Sequence, residues 1–129
     1  YRNSVIKNRP YVVLQVSMRL QEGDREAILA RMNELTARRK EKQPLEYASA
    51  GSTFKRPAGH FAGKLIQDAG LRGFTVGGAQ VSEKHCGFVI NRDHATSADI
   101  LSLCRQVQDQ VKAQYGVDLE LEVKLLGEF

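Results

Sequence analysis

A stretch that begins with small residues, 50–57, places the Ser52 hydroxyl close in sequence to two cationic side chains. Ser52 follows Gly51 and is itself followed by Lys55 and Arg56. Backbone N–H groups in a loop of small residues can approach an anion closely, and neighbouring cations add charge-assisted hydrogen bonds. The spacing matches neither a Walker A loop nor a nucleophile elbow. The residues alone therefore indicate either an anion-binding loop or an ordinary turn.

A second polar stretch starts at a pair of glycines. Gly77 and Gly78 are followed by Ser82, Lys84 and His85. Glycines within a strand often mark a bulge or a close approach of another backbone or a ligand. The alternative is a hairpin whose polar tip is solvated. The histidines show no HxH or HExxH spacing, so we expect no metal site.

Near the C-terminus, Glu122 alternates with apolar residues, together with Glu120 and Lys124. Two carboxylates on the same face of a strand repel each other unless a cation lies between them, and Lys124 could be that cation. Taken alone, this pattern is typical of a strand face that points into solvent.

Composition excludes several classes of protein. The chain has 129 residues, 42% of them hydrophobic, and no apolar run long enough to span a membrane. This length predicts one domain with its own core. A formal charge of +4 suits an anionic partner without identifying it. Cys86 and Cys104 lack a CxxC spacing, and we interpret them as reduced thiols of the interior.

Hydrophobic periodicity predicts the elements of the first half of the chain. Tyr11 to Leu20 alternates with period two, which predicts a half-buried strand. Asp24 is a suitable N-cap for a helix whose buried stripe would be Ile28, Met32 and Leu35. Residues 43–57 show neither a helical nor a strand period.

The second half predicts two helices and three strands. The helices span residues 60–69 and 96–116, the second opening with a Thr96–Asp99 capping box. The strands span residues 74–81, broken at the glycine pair, 87–91 and 119–125. The resulting order is β-α-(loop-α)-β-β-α-β. We therefore expect an α+β fold, with a mixed or antiparallel sheet and helices packed on one face.

Several of these stretches in combination closely resemble the C-terminal domain of the UDP-N-acetylenolpyruvoylglucosamine reductase family. They are GSTFKRP at 51–57, AGKLI at 62–66, GGAQVS at 77–82 and LELEV at 119–123. The resemblance covers essentially the whole chain and implies that residues 1–129 are that domain, with residues 1–10 a linker from the flavin domains. Leu121 stands where the family usually has Pro, and Arg56 where some members have Asn.

The resemblance also implies a reaction and roles for individual residues. The family reduces UDP-N-acetylglucosamine enolpyruvate to UDP-N-acetylmuramate, an oxidoreductase step of peptidoglycan precursor synthesis. The proton donor of the family corresponds to Ser52, and its catalytic carboxylate corresponds to Glu122. We expect the substrate to be bound by cationic and polar side chains, namely Lys55, Arg56, Ser82, Lys84 and His85.

The cofactors implied are FAD and NADPH in the full-length enzyme. The flavin-binding domains of the same polypeptide would then be partners of this chain, which we expect to be inactive and to bind no cofactor by itself. We expect a bacterial, cytoplasmic protein without a membrane or nucleic-acid partner. The alternative is a small basic α+β module that binds nucleic acid or another protein. However, no stretch matches the RNP1 pattern of RNA-recognition modules.

Overall fold

The structure, a computed structural model, describes residues 4–6 and 9–127. The chain divides into two compact units, one ending at Asn33 and the other starting at Glu34. The described residues contain three helices and four strands. In chain order these are α1 (Arg25–Lys42), β1 (Ala48–Ser52), α2 (Ala62–Asp68), β2 (Thr75–Val76), β3 (Ala79–Val81), β4 (Phe88–Asn91) and α3 (Ser97–Tyr115).

The four strands form one antiparallel sheet in the order β1-β4-β3-β2. β4 lies in the middle of the sheet and is the most apolar strand, with Phe88, Val89 and Ile90 all buried. β2 and β3 form a tight hairpin that turns at Gly77 and Gly78. The predicted α+β class with an antiparallel sheet is confirmed.

The core of the second unit lies between the sheet and the two later helices. α3 packs on β2, β3 and β4, and α2 packs beside α3. The predicted stripe of α3 is confirmed, since Cys104, Val107 and Val111 are fully buried and Ile100 is half-buried. The other main core residues are Phe54, Leu65, Ile66, Leu71, Ala79, Val81, Val89, Leu103 and Leu119.

Both ends of α3 follow from its sequence. The Thr96 side chain accepts a hydrogen bond from the Asp99 N–H, and the Asp99 side chain accepts one from the Thr96 N–H. This reciprocal pair is the predicted capping box. Gly116 ends the helix in the left-handed region with φ of 67°, where glycine carries no steric penalty.

The first unit contradicts two expectations. Residues 11–20 form no strand, and every one of them is exposed. A strand needs a neighbour for its N–H and C=O groups, and the described part of the chain contains none along this segment. α1 begins after Asp24 as predicted, with the Ala27 N–H bonded to the Asp24 carboxylate at 2.8 Å. However, none of its residues is buried, so its apolar stripe is not a core face.

Three further expectations are corrected in the second unit. The stretch 43–57, expected to be irregular, contains β1, because β4 provides an antiparallel partner for it. The predicted strand 74–81 is the hairpin of β2 and β3. The predicted strand 119–125 is reduced to a single bridge between Phe54 and Leu121. The predicted linker, residues 1–10, includes residues 1–3 and 7–8, which lie outside the described residues.

Candidate functional site

Ser52 ends β1 at an irregularity in the sheet. Ser49 pairs with Ile90 and Ser52 with Phe88, so β1 uses one residue more than β4 between these pairs. Such a β-bulge re-aims the side chains that follow it. Gly51, within the bulge, has a φ of 85°, a backbone conformation that glycine adopts readily. Ser52 is exposed, and it lies on the same face of the sheet as Phe88, with which it is paired.

Glu122 is held next to this bulge by the backbone. The Glu122 N–H donates to the Thr53 carbonyl at 2.9 Å, and the Lys55 N–H donates to the Glu120 carbonyl at 2.8 Å. Between these two bonds, Phe54 faces Leu121 and both pack against the core. The structure thus brings Glu122 into register with the residue directly after Ser52. Glu122 is exposed in this chain, as the solvent-facing alternative predicted.

Lys55 lies between two carboxylates of the same segment. Its Nζ is 2.7 Å from Oε2 of Glu120, and it is also attracted by the charge of Glu122. The hydrogen bond to Glu120 and the attraction of the Glu120 charge raise the pKa of Lys55, and Glu122 adds a smaller attraction. The same hydrogen bond lowers the pKa of Glu120. Lys55 is therefore the cation paired with Glu120, a role for which the sequence pattern offered Lys124.

Arg56 lies differently from Lys55, against an aromatic ring and a backbone carbonyl. Its guanidinium stacks over the Phe61 ring at 3.9 Å, and its Nε donates to the His60 carbonyl at 3.2 Å. Lys55 and Arg56 line one open groove of about 420 Å³ together with His60, Asp118 and Glu120. This groove presents charges of both signs.

The turn between β3 and β4 carries the other predicted binding residues. Ser82 is 1% exposed, and its Oγ accepts hydrogen bonds from the N–H groups of Lys84 and His85. The buried Ser82 hydroxyl therefore holds the backbone of the turn in place, whereas Lys84 and His85 are exposed. His85 accepts a bond from the Gly87 N–H and contacts the Phe88 ring edge-on at 5.0 Å. His85 thus contacts Phe88, the residue of β4 that is paired with Ser52.

A small polar cavity of about 170 Å³ adds two residues that the sequence did not single out. The Arg92 guanidinium stacks over the Tyr47 ring at 4.8 Å, and both residues line the cavity with Ser82 and Lys84. Lys84 Nζ is 3.4 Å from a Glu46 carboxylate oxygen there. Only the pairing of β1 with β4 brings Tyr47 opposite Arg92, so no local motif could have indicated the pair.

The groups present are of the kinds that bind an anion and supply a proton. Ser52 is exposed, and the exposed Lys55 and Arg56 follow it in the chain. Across residues 4–6 and 9–127, no three side chains of His, Cys, Asp or Glu gather in a way that could hold a metal ion. The same residues include no helix long and apolar enough to cross a bilayer.

Comparisons with known proteins show the family to which this fold belongs. Residues 43–126 match the family model for the C-terminal domain of UDP-N-acetylenolpyruvoylglucosamine reductase. The crystal structure of UDP-N-acetylenolpyruvylglucosamine reductase from Thermus caldophilus superposes with a TM-score of 0.66 at 39% identity, covering 82% of this chain and 37% of that one.

Two curated relatives are more similar in sequence. The UDP-N-acetylenolpyruvoylglucosamine reductases of Clostridium beijerinckii and Agathobacter rectalis are each 59% identical to this chain, over 99% and 100% of its length. The chain spans only 42% and 41% of those proteins. Because the family model matches well over half of the chain, the chain belongs to the family of UDP-N-acetylenolpyruvoylglucosamine reductase C-terminal domains.

Proposed function

We propose that this chain is the substrate-binding and proton-donating domain of a flavoenzyme that reduces UDP-N-acetylglucosamine enolpyruvate to UDP-N-acetylmuramate. The observation that best supports it is the 2.9 Å hydrogen bond from the Glu122 N–H to the Thr53 carbonyl. This bond brings together two candidate catalytic residues, Ser52 and Glu122, that lie far apart in the sequence. The names of the relatives point to the same reaction.

The proposed chemical role of Ser52 follows from the substrate. Addition of a hydride to one carbon of the enolpyruvyl double bond leaves an enolate-like carbon next to a carboxylate. This carbon is strongly basic, so a hydroxyl with an ordinary pKa can protonate it when held within hydrogen-bond reach. The O–H bond of Ser52 breaks and a C–H bond forms. Glu122 would orient the donor, and Lys55 would compensate the negative charge.

The remaining cations are proposed to bind the UDP part of the substrate. Arg56 and Lys84 suit the diphosphate, because charge-assisted hydrogen bonds to phosphate are among the stronger polar contacts. His85 would contact the uridine side, and Lys55 is proposed to share the diphosphate with Arg56. Ser82 would contribute indirectly, by holding the turn that carries Lys84 and His85, since its own hydroxyl is buried.

The amino-acid sequence contains no stretch that resembles a flavin-binding motif. We therefore propose that FAD and NADPH are bound by the flavin-binding domains of the same polypeptide, which also become partners of this chain. As part of cytoplasmic precursor synthesis, the protein would need no membrane or nucleic-acid partner. The family match does not support the alternative of a small binding module.

The experiment uses a chimera in which this chain replaces the matching part of the Clostridium beijerinckii reductase. Ser52→Ala should leave the reduction of the flavin by NADPH unchanged. Reoxidation of the flavin by the enolpyruvyl substrate should slow by at least about a hundredfold, because removal of the positioned acid affects only that half-reaction. Stopped-flow absorbance at the flavin band separates the two steps.

The matched control is Ser102→Ala, which removes a hydroxyl from α3 outside the proposed site. It should change neither half-reaction. A chimera that reduces its flavin but never passes the hydride to the enolpyruvyl substrate would contradict the proposed function. Normal reoxidation in Ser52→Ala would remove only Ser52 from the role of proton donor.

A further inference from the structure

We infer that Thr53 is a positioning residue for this reaction, which sets Ser52 and Glu122 in register through its side chain and its main chain. The inference rests on the proposed function and names a residue outside the predicted set. Thr53 is a buried polar residue, 4% exposed, that directly follows Ser52. Its hydroxyl is bonded to the Val89 N–H, so the contribution that we infer is geometric.

All three polar groups of Thr53 form hydrogen bonds, and these bonds reach two different segments. Its N–H donates to the Gly87 carbonyl at 2.9 Å, and its carbonyl accepts from the Glu122 N–H at 2.9 Å. Its Oγ1 accepts from the Val89 N–H at 3.0 Å, in a buried environment. Thr53 therefore joins the end of β1 to β4 on one side and to the segment of Glu122 on the other.

The hydrogen bond from the Val89 N–H to the Thr53 hydroxyl compensates for the backbone pairing that the bulge disrupts. The extra residue of β1 shifts the carbonyl groups of β1 relative to β4. The shift falls at Val89, whose N–H points toward β1. A buried N–H without an acceptor is costly, and native structures avoid it. The hydroxyl of Thr53 supplies that acceptor. Valine has nearly the same shape but supplies none.

The position of Ser52 depends more on Thr53 than on Gly51, its neighbour on the other side. On its N-terminal side, Gly51 has no side chain and φ of 85°, so it contributes no packing of its own. Movement of Thr53 would therefore displace the Ser52 hydroxyl and loosen the bond that registers Glu122. Proton transfer tolerates little displacement, since a misplacement of about 1 Å can cost about a hundredfold in rate.

The test compares Thr53→Val with Thr53→Ser in the same chimera. We expect Thr53→Val to slow flavin reoxidation about ten- to a hundredfold while the Kd of the enolpyruvyl substrate changes less than about threefold. Thr53→Ser keeps the acceptor and should retain most of the parent rate. The matched control is Thr75→Val on β2, at the opposite edge of the sheet, which should behave like the parent.

Amide hydrogen exchange in the 129-residue chain provides a second readout that does not depend on activity. In Thr53→Val, the Val89 amide should exchange at least about tenfold faster relative to the Val81 amide, which bonds to the Phe74 carbonyl. If Thr53→Val does not fold, Thr53→Cys replaces it, because sulfur is a weaker acceptor than oxygen. Its reoxidation rate should lie between those of Thr53→Ser and Ser52→Ala.

Equal reoxidation rates in the parent, Thr53→Val and Thr53→Ser would overturn the inference. So would an equal loss in both Thr53 variants, because the retained hydroxyl would then make no difference. An increased Kd with an unchanged rate would show that Thr53 serves binding instead. If the unsubstituted chimera fails to reoxidise its flavin with the enolpyruvyl substrate, the proposed function fails. The Val89 exchange rates then still decide whether Thr53 holds the bulge.

Discussion

At the scale of single residues, the cations around Ser52 differ in how freely they can meet a ligand. Lys55 and Lys84 each lie against a carboxylate, so a phosphate would compete with that partner for the ammonium group. The guanidinium of Arg56 instead lies over the Phe61 ring and uses its Nε–H for the His60 carbonyl, so a phosphate would meet its two terminal NH₂ groups. Among the proposed binding residues, we expect Arg56 to contribute most to the affinity for the diphosphate.

The pair of Lys55 and Glu120 predicts a defined pH window. The raised pKa of Lys55 means that its contribution is present at and below its ordinary value of 10.5 and is lost at higher pH. The lowered pKa of Glu120 means that its contribution is present above its ordinary value of 4.5 and is lost at lower pH. Between these limits the contact should persist, with only a small effect on stability because both side chains are exposed.

Site-resolved NMR titration of the Lys55 ammonium and the Glu120 carboxyl checks this prediction. Glu120→Gln should return the pKa of Lys55 toward its ordinary value. The matched control is Asp118→Asn, because Asp118 lines the same groove but pairs with Lys112. A Lys55 titration that is unchanged in Glu120→Gln would mean that the ion pair does not form in solution.

At the scale of elements, short strands of unfavourable composition form because an apolar neighbour is available. β1 reads Ala-Ser-Ala-Gly-Ser and has little intrinsic preference for a strand. It nevertheless pairs with β4, whose buried apolar residues anchor the middle of the sheet. Residues 11–20 have the better strand pattern, yet no strand accompanies them in the described part of the chain. Pairing, more than propensity, therefore decides which segment becomes a strand.

The hairpin of β2 and β3 depends on close contact between two turns. A Cβ atom on Gly78 would lie 1.9 Å from the carbonyl oxygen of Asp93, a distance that backbone atoms cannot accommodate without a shift. Gly78→Ala should therefore destabilise the chain by about 3 kcal/mol. Chemical denaturation followed by circular dichroism measures the change in the free energy of unfolding.

The control for this substitution is Gly23→Ala. There the nearest atom to the added Cβ is the flexible end of Ile28 at 3.2 Å, so the side chain can move away. We expect a change of less than about 1 kcal/mol, as for most exposed positions. Equal effects of the two substitutions would show that the two turns do not approach each other as described.

At the scale of the whole molecule, the core and the candidate site belong to the second unit. Every described residue before Gln43 is exposed, whereas the buried residues lie between Pro44 and Leu119. The family match covers the same region, residues 43–126. The polar grooves of this region are open and lined by both signs of charge. The described core and the proposed binding residues therefore lie within one unit, the part of the chain that matches the family.

The purified chain should therefore be colourless and inactive. After incubation with FAD and desalting, its absorbance spectrum should show no flavin band, because its sequence contains no stretch that resembles a flavin-binding motif. The chimera, treated in the same way, should keep about one flavin per chain and serves as the positive control. A flavin band of similar size in the isolated chain would show that the domain assignment is wrong.

The sequence by itself determined the features that depend on near neighbours. The capping box and the Gly116 stop of α3, the buried stripe of that helix and the α+β class all follow from local hydrogen bonding and periodicity. The combination of GSTFKRP, AGKLI and GGAQVS also indicated the family, which the comparisons confirmed. These features need no knowledge of which segments meet in space.

Only the tertiary structure decided the features that depend on distant partners. The exposed segment 11–20, the strand β1 and the bridge at Leu121 each depend on whether another strand lies alongside. The pairing of Lys55 with Glu120, and the three bonds that make Thr53 an anchor, likewise join segments remote in sequence. Periodicity reports which face of an element is apolar, but not which element will cover it. Hydrogen-bond partners are set by the register of the assembled sheet.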